Sequence, residues 1–251
     1  MRFGFVLNFN DRAGQEVELH HQPDAGSGIY LPNVKTFVYT TPQSKPRGIA
    51  HEARRRRCLE IMTVYGFTDW RFFYGTSSSP YWVGIPKDHA RLLRENEPPL
   101  LILEDDIEPR AFCANVTPPA GAEVVYLGGG RGGDMGGINA ARHAGLPLKR
   151  TYGYGYELID ADWMRVYGML YSHAILWLDK RVMLEAAQLL DSQRRPIDGT
   201  IASAQWRWQT ACRIVPMFWQ RDGHHRGETF DYAPIPDWAK RKILVPCRKR
   251  A

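Results

Sequence analysis

The sequence predicts an α/β fold, a largely parallel sheet flanked by helices, and three observations carry that expectation. Lys35–Thr41, β-branched and aromatic, is followed by a helical pattern from Ile49 and then by a second strand pattern at Asp69–Gly75. Strand, helix, strand is the βαβ unit of a parallel sheet. Leu100–Leu103 is an aliphatic run that ends in Glu104, Asp105 and Asp106 and is stopped by Pro109, so a buried strand should surface with three acids at its tip. Arg181–Ser192 then repeats the helical pattern in the second half, with Val182, Leu184, Ala186, Leu189 and Leu190 on it.

The bulk properties set the frame for these elements. At 251 residues and 44% hydrophobic, the chain can bury a sizeable core. One domain over residues 1–239 and a basic tail over 240–251 are expected. No run approaches ~18 uninterrupted apolar residues, and the apolar part of Met1–Asn8 is short for a secretory signal. The expectation is a soluble, cytoplasmic protein, with contact to a membrane surface through the tail left open. Cys58, Cys113, Cys212 and Cys247 are scattered, which argues against a zinc cage or a disulfide framework. A net charge of +6 and a pI near 9.2 favour an acidic partner, be it a nucleotide, a nucleic acid or an anionic surface. Much of that charge sits in Arg54–Arg57 and in the tail, where a solvated helix face and a solvated tail compete with a dedicated nucleic-acid site.

In chain order, residues 1–10 read as a short strand and 11–28 as a loop. The helix from Ile49 should place Ile49, Ala53, Leu59, Met62 and Val64 on one face, with arginines on the other, and end at Gly66. Thr76–Pro80 reads as a loop, and Asp88–Glu95 as a helix with Leu92 and Leu93 inward. Glu123–Leu127 is a further strand. The glycine-rich stretch Gly128–Gly137 reads as a loop, either mobile beside an active site or a plain insert, and not as a dinucleotide fingerprint, because no helical pattern or acidic partner follows at the needed spacing. Tyr171–Leu178 reads as a strand with His173 near its start. Asp198 can cap the segment opened by Pro196, and Ile214–Gln220 is the last strand expected before a polar loop containing His224 and His225.

Taken in order, these features resemble a known family. The set comprises a basic helix ending in Gly66-Phe67, a strand ending in Tyr74-Gly75, Asp88-His89, Leu103-Glu104-Asp105-Asp106, a strand end at Tyr126-Leu127-Gly128, Ser172-His173-Ala174, and Pro196-Ile197-Asp198. It resembles the lipopolysaccharide-type and collagen-type galactosyltransferases over roughly residues 35–220. Asp88 stands where that family usually has Ser before the His, and Ser172 where Gly or Thr is common. The resemblance implies a GT-A-like (Rossmann-like) mixed, mostly parallel sheet flanked by helices. The implied activity is transfer of a sugar, with inversion, from a nucleotide-diphospho-sugar, a UDP-sugar foremost, with Mn²⁺ or Mg²⁺.

The same resemblance implies roles for single residues. Asp106 is the first metal ligand, Glu104 binds the metal or the donor ribose, and Asp105 faces the sugar or a supporting partner. His225, or His224 beside it, adds a metal ligand, the competing reading being an exposed pair in a polar loop. Asp198 is the general base, with helix capping as its competing role. His173 binds donor or acceptor sugar, unless it is a core histidine satisfied by backbone, and His89 serves structure or pocket. Thr40, Thr41, Arg54 and Arg57 meet the nucleotide, although arginines ~100° apart on a helix cannot all point one way. Trp206, Arg207, Trp208 and Trp219 could stack on sugars or bases or fill the core. The acceptor is DNA carrying hydroxymethylpyrimidine, reached by base flipping, or a saccharide or lipid-linked glycan at a membrane surface. No stable protein partner is implied. A non-catalytic nucleic-acid-binding module, acting through the Arg-rich helix and tail, is the competing reading.

Overall fold

Nine strands hydrogen-bond into one sheet in a computed structural model of the chain, which describes residues 6–7, 17–18, 28–40, 48–76, 81–129, 133–151, 153–192 and 195–220. In chain order the elements are β1 (Lys35–Thr40), α1 (Gly48–Val64), β2 (Trp70–Tyr74), α2 (Tyr81–Glu95), β3 (Leu100–Glu104), β4 (Ile107–Pro109) and β5 (Val124–Tyr126). They continue as α3 (Met135–His143), β6 (Lys149–Thr151), β7 (Tyr154–Leu158), β8 (Trp163–Tyr167), β9 (Ala174–Trp177), α4 (Lys180–Ser192), α5 (Ile197–Ala204), β10 (Thr210–Arg213) and β11 (Phe218–Gln220). The sheet order is β6-β7-β8-β10-β5-β9-β3-β1-β2.

The expectation of a mostly parallel sheet is corrected: the sheet is mixed. Only β1–β2, β1–β3 and β5–β10 are parallel, while the other five pairings are antiparallel. The reason lies in the connections. Crossover helices α1 and α2 return the chain in one direction through the first three strands, whereas Lys149–Tyr167 runs as a meander whose short turns allow only antiparallel neighbours.

Strand alternation divides the core between the two faces of the sheet. Leu100 and Ile102 face a cluster with Leu92 and Leu93 of α2, Val182, Ala186 and Leu190 of α4, and Ile201 of α5. Leu101 and Leu103 face the other, with Cys58, Ile61, Met62 and Tyr65 on the α1 side. Burial on both faces explains why β3 reads as an unbroken aliphatic run.

Several local expectations are corrected as well. The buried stripe of the first helix is Cys58, Ile61 and Met62, continued by Tyr65, while Leu59 and Val64 are exposed. The second helix begins at Tyr81, not Asp88, and carries Pro86 internally. A helix does follow the glycine-rich stretch, because Asp134 accepts a hydrogen bond from Gly137 N at 2.9 Å and caps α3. Its glycines serve packing: a Cβ at Gly137 would lie 2.4 Å from Ala202 O. Of the strand expected over Ile214–Gln220 only Phe218–Gln220 forms, as β11 paired with β4, and β10 at Thr210–Arg213 precedes it. Val17–Glu18, read as loop, pairs antiparallel with Val6–Leu7. Among the described residues Cys58 and Cys212 are free thiols, and no described helix is long and apolar enough to cross a membrane.

Candidate active site

The site is built where three chain segments meet at the C-terminal end of β3. The antiparallel pairing of β9 with β3 sets Ala174 opposite Leu103, and Glu104 N donates to His173 O at 2.9 Å. That register delivers Ser172 and His173 to the acidic tip. The β4–β11 pairing sets Gln220 opposite Ile107 and delivers its amide to the same place. The third contributor is Asp198, the second residue of α5.

Glu104 lies at the centre of these contacts. Its Oε1 accepts from Ser172 Oγ at 2.7 Å, and its Oε2 accepts from Gln220 Nε2 at 3.2 Å. The same Gln220 nitrogen donates to Asp106 Oδ2 at 3.0 Å. Burial, then the neighbouring Asp106 carboxylate, push the Glu104 carboxyl up to about 8, with Asp198 and Asp105 adding to the rise and Ser172 opposing it. Asp198 is therefore close enough for its charge to be felt at Glu104, across the sequence separation between them. It is half-buried, and its Oδ1 accepts from Gly199 N at 2.7 Å. The capping role is corrected: Pro196 occupies the N-cap position of α5.

Asp105 turns away from its neighbours. Its Oδ2 accepts from Thr40 Oγ1 at 2.5 Å and its Oδ1 from Arg54 Nη1 at 3.1 Å. Thr40 and Arg54, expected at the nucleotide, thus meet Asp105 and tie the acidic turn to β1 and α1. Arg57 makes a two-pronged contact with Glu108, Nε to Oε1 at 3.1 Å and Nη2 to Oε2 at 2.8 Å. Thr41, His224, His225 and the basic tail lie outside the described residues.

His173 is buried, its pKa lowered by desolvation against the raising influence of Asp106. Its Nε2 lies 3.4 Å from Phe218 O, and its Nδ1 has no hydrogen-bond partner among the described residues. Gly128 makes that position possible, since a Cβ there would stand 2.0 Å from His173 Nε2. His89 is also buried, with Nδ1 3.0 Å from Ile85 O and its ring 4.5 Å from that of Tyr39. Desolvation lowers its pKa to about 4. Asp88 accepts from Tyr39 Oη at 3.2 Å and from Thr76 N and Oγ1 at 2.6 and 2.5 Å, so Asp88 pins the chain leaving β2. Of the tryptophans, Trp208 and Trp219 are buried, and Trp208 Nε1 donates to Glu185 at 3.0 Å. Both belong to the core. Trp206 is half-buried, 5.4 Å beneath the Arg207 guanidinium.

Gln220, Ser172, Tyr171 and Gln205 were not expected as functional side chains. Ser172 lies inside the Ser-His-Ala motif, but no sequence signal marks Gln220, whose role comes from strand pairing. Tyr171 has φ 88, a left-handed conformation that costs a bulky residue on the order of 1–3 kcal/mol and is found at functional sites. Gln205 steadies the preceding turn, its Oε1 accepting from Met169 N at 2.7 Å and its Nε2 donating to Met169 O at 2.8 Å and Tyr126 Oη at 2.9 Å.

Among the described residues no group of three His, Cys, Asp or Glu side chains forms a metal cage. Two carboxylates nevertheless share one nitrogen, Gln220 Nε2, at 3.2 and 3.0 Å. A single donor spanning two hard oxygens shows that Glu104 and Asp106 converge on one point, and two oxygens so placed fit part of the ligand set of a divalent cation.

Glu104 gives the metal-free protein a pH signature. Its folded pKa is raised, so its contribution to stability is complete below the unfolded carboxyl value and is lost as pH rises through about 8. His89 and His173, with lowered pKa values, act oppositely, and their gain is nearly complete by about pH 7. Wild-type protein in chelator should therefore lose on the order of 1 kcal/mol between about pH 7 and 8 relative to Glu104→Gln. Thermal melts of both proteins across that range check it, and parallel curves would refute the assignment.

No family model, curated protein or solved structure matches the chain.

Proposed function

We propose that the chain is a metal-dependent glycosyltransferase of GT-A type, which moves a sugar from a nucleotide-diphospho-sugar, a UDP-sugar foremost, to an acceptor hydroxyl with inversion. The observation that carries this reading is the convergence of Glu104 and Asp106 on one nitrogen at a strand end, with Asp198 near enough for its charge to act on Glu104. Ligands of α/β sheets bind at such strand ends. The direction of the central strands adds support: β2, β1 and β3 run parallel, β9 opposes them, and β5 follows.

In this reading Glu104 and Asp106 hold Mn²⁺ or Mg²⁺, with His225 as a further ligand from the segment after β11. The ion would supply positive charge against the diphosphate as the glycosidic bond breaks. Asp198 takes the proton of the acceptor hydroxyl, whose oxygen bonds to the anomeric carbon while the bond from that carbon to the diphosphate oxygen breaks. His173 lines the sugar pocket, and Asp105, held by Thr40 and Arg54, keeps the acidic turn in place. The acceptor is hydroxymethylpyrimidine in DNA or a saccharide on a glycan. The competing reading, a binding module driven by the Arg-rich helix, loses support from the engagement of Arg54 and Arg57 with Asp105 and Glu108.

The test is release of nucleoside diphosphate from a panel of UDP- and GDP-sugars by the full-length chain. Release should need Mn²⁺ or Mg²⁺, stop in chelator, and rise with hydroxymethylated DNA or a saccharide acceptor. A panel without any metal-dependent release would overturn the reading.

A further inference from the structure

The outer edge of the sheet at β2 carries an arrangement that the transferase chemistry does not use. β2 is the last strand of the sheet, and its sequence, Trp70-Arg71-Phe72-Phe73-Tyr74, combines rings with a cation. Four cations lean on rings around this edge, three on the α2 face of the sheet and Arg55 on the α1 face, since successive strand residues alternate sides. Arg71 lies 4.7 Å and Lys35 5.8 Å from the Phe37 ring, Arg91 lies 4.9 Å from Phe73, and Arg55 lies 6.0 Å from Tyr74. None of the four has a carboxylate partner among the described residues, a state they share with Arg110, Arg165 and Arg213, which lie over rings elsewhere. Tyr74 is 60% exposed, and between β2 and the end of α2 opens a groove of about 440 Å³, lined by Lys35, Phe37, Arg71 and Phe73, with Glu95 and Asn96 at its α2 end.

We propose that this edge binds single-stranded nucleic acid laid over it, with phosphates against Lys35, Arg71 and Arg91 on the α2 side and Arg55 on the α1 side, and a base stacking on the exposed Tyr74. Rings interleaved with guanidinium groups are what a flexible polyanion with flat bases requires, because every base offers a face to stack and every link a charge to neutralise. A duplex hides its base faces, and a lipid surface would make no use of the groove. The five residues of β2 span roughly 16 Å. The surface also leads toward the candidate active site: Tyr74 pairs with Thr40, and Tyr39 with Glu104, so the two ends lie two strands, or about 10 Å, apart. The proposal stands on the edge alone and does not need the transferase reading.

The experiment is fluorescence anisotropy of a labelled oligothymidylate with the full-length chain, without nucleotide sugar. The double variant Arg71→Ala/Arg91→Ala should weaken binding at least tenfold and lower the salt slope by about 1.4, since each phosphate neutralised on a single strand contributes ~0.7. Tyr74→Ala should weaken it about tenfold while leaving the salt slope unchanged. Arg142→Ala/Lys149→Ala, which removes exposed charge elsewhere, should change affinity by less than threefold. Three results would overturn the proposal: no binding by wild type, equal losses in both charge-pair variants, or Tyr74→Ala behaving as wild type with anionic vesicles competing as well as unlabelled oligothymidylate. Failure of UDP-sugar hydrolysis leaves this measurement untouched, so the two readings fall separately.

Discussion

Asp106→Ala is expected to reduce metal-dependent release of nucleoside diphosphate by at least about a hundredfold, the scale on which removing a single charge-stabilising group acts in enzymes. Asp106 is buried in the turn between β3 and β4, and its carboxylate is the largest charge acting on Glu104. Its removal takes away one of the two oxygens that meet at Gln220 and leaves the other with a single charge. Mn²⁺ affinity measured by calorimetry should fall in parallel with activity. The Glu104 carboxyl should also titrate at lower pH, since one raising charge is gone, and a melt series in chelator reads that shift independently of catalysis. Unchanged hydrolysis in the variant would sink the metal assignment.

The second large effect is expected at Asp198. Asp198→Asn should slow sugar transfer by roughly 10²–10⁴-fold, the usual contribution of a general base, with little change in donor KM. The substitution is gentle on the fold. Pro196 and not Asp198 occupies the N-cap position, and an Asn carbonyl oxygen can still accept from Gly199 N. A loss of less than about threefold would place the base elsewhere.

The two carboxylates differ in how legible they were. Asp106 stands out because four aliphatic residues lead into Glu104, Asp105 and Asp106 and a proline stops them, a local pattern with a local meaning. Asp198 is marked only by a resemblance spread thinly along the chain, and its nearness to Glu104 depends on α5 packing over the sheet. The four arginines show the opposite failure. Their helix was legible, but which of them face the acidic turn was not, because that depends on the rotation of α1 set by the burial of Cys58, Ile61 and Met62. The exposed Leu59 and Val64 show the same limit: hydrophobic residues at near-helical spacing admit more than one stripe, and packing chooses. Gln220 was out of reach altogether, since an isolated glutamine carries no pattern.

By itself the sequence determined the α/β class, the strand–helix–strand opening, the acidic tip of β3 and the helix of residues 180–192. Each is written in contiguous residues through periodicity, proline and glycine placement, or like charges in a row. The tertiary structure alone decided the mixed direction of the sheet, the diversion of Asp105 to Thr40 and Arg54, and the meeting of Glu104, Asp106, Ser172 and Gln220. It also placed Arg55 and Arg91, far apart in sequence, around one edge with Arg71 and Lys35. These depend on which strands pair and in what register, and that choice minimises the free energy of the whole packed core and not of any one segment.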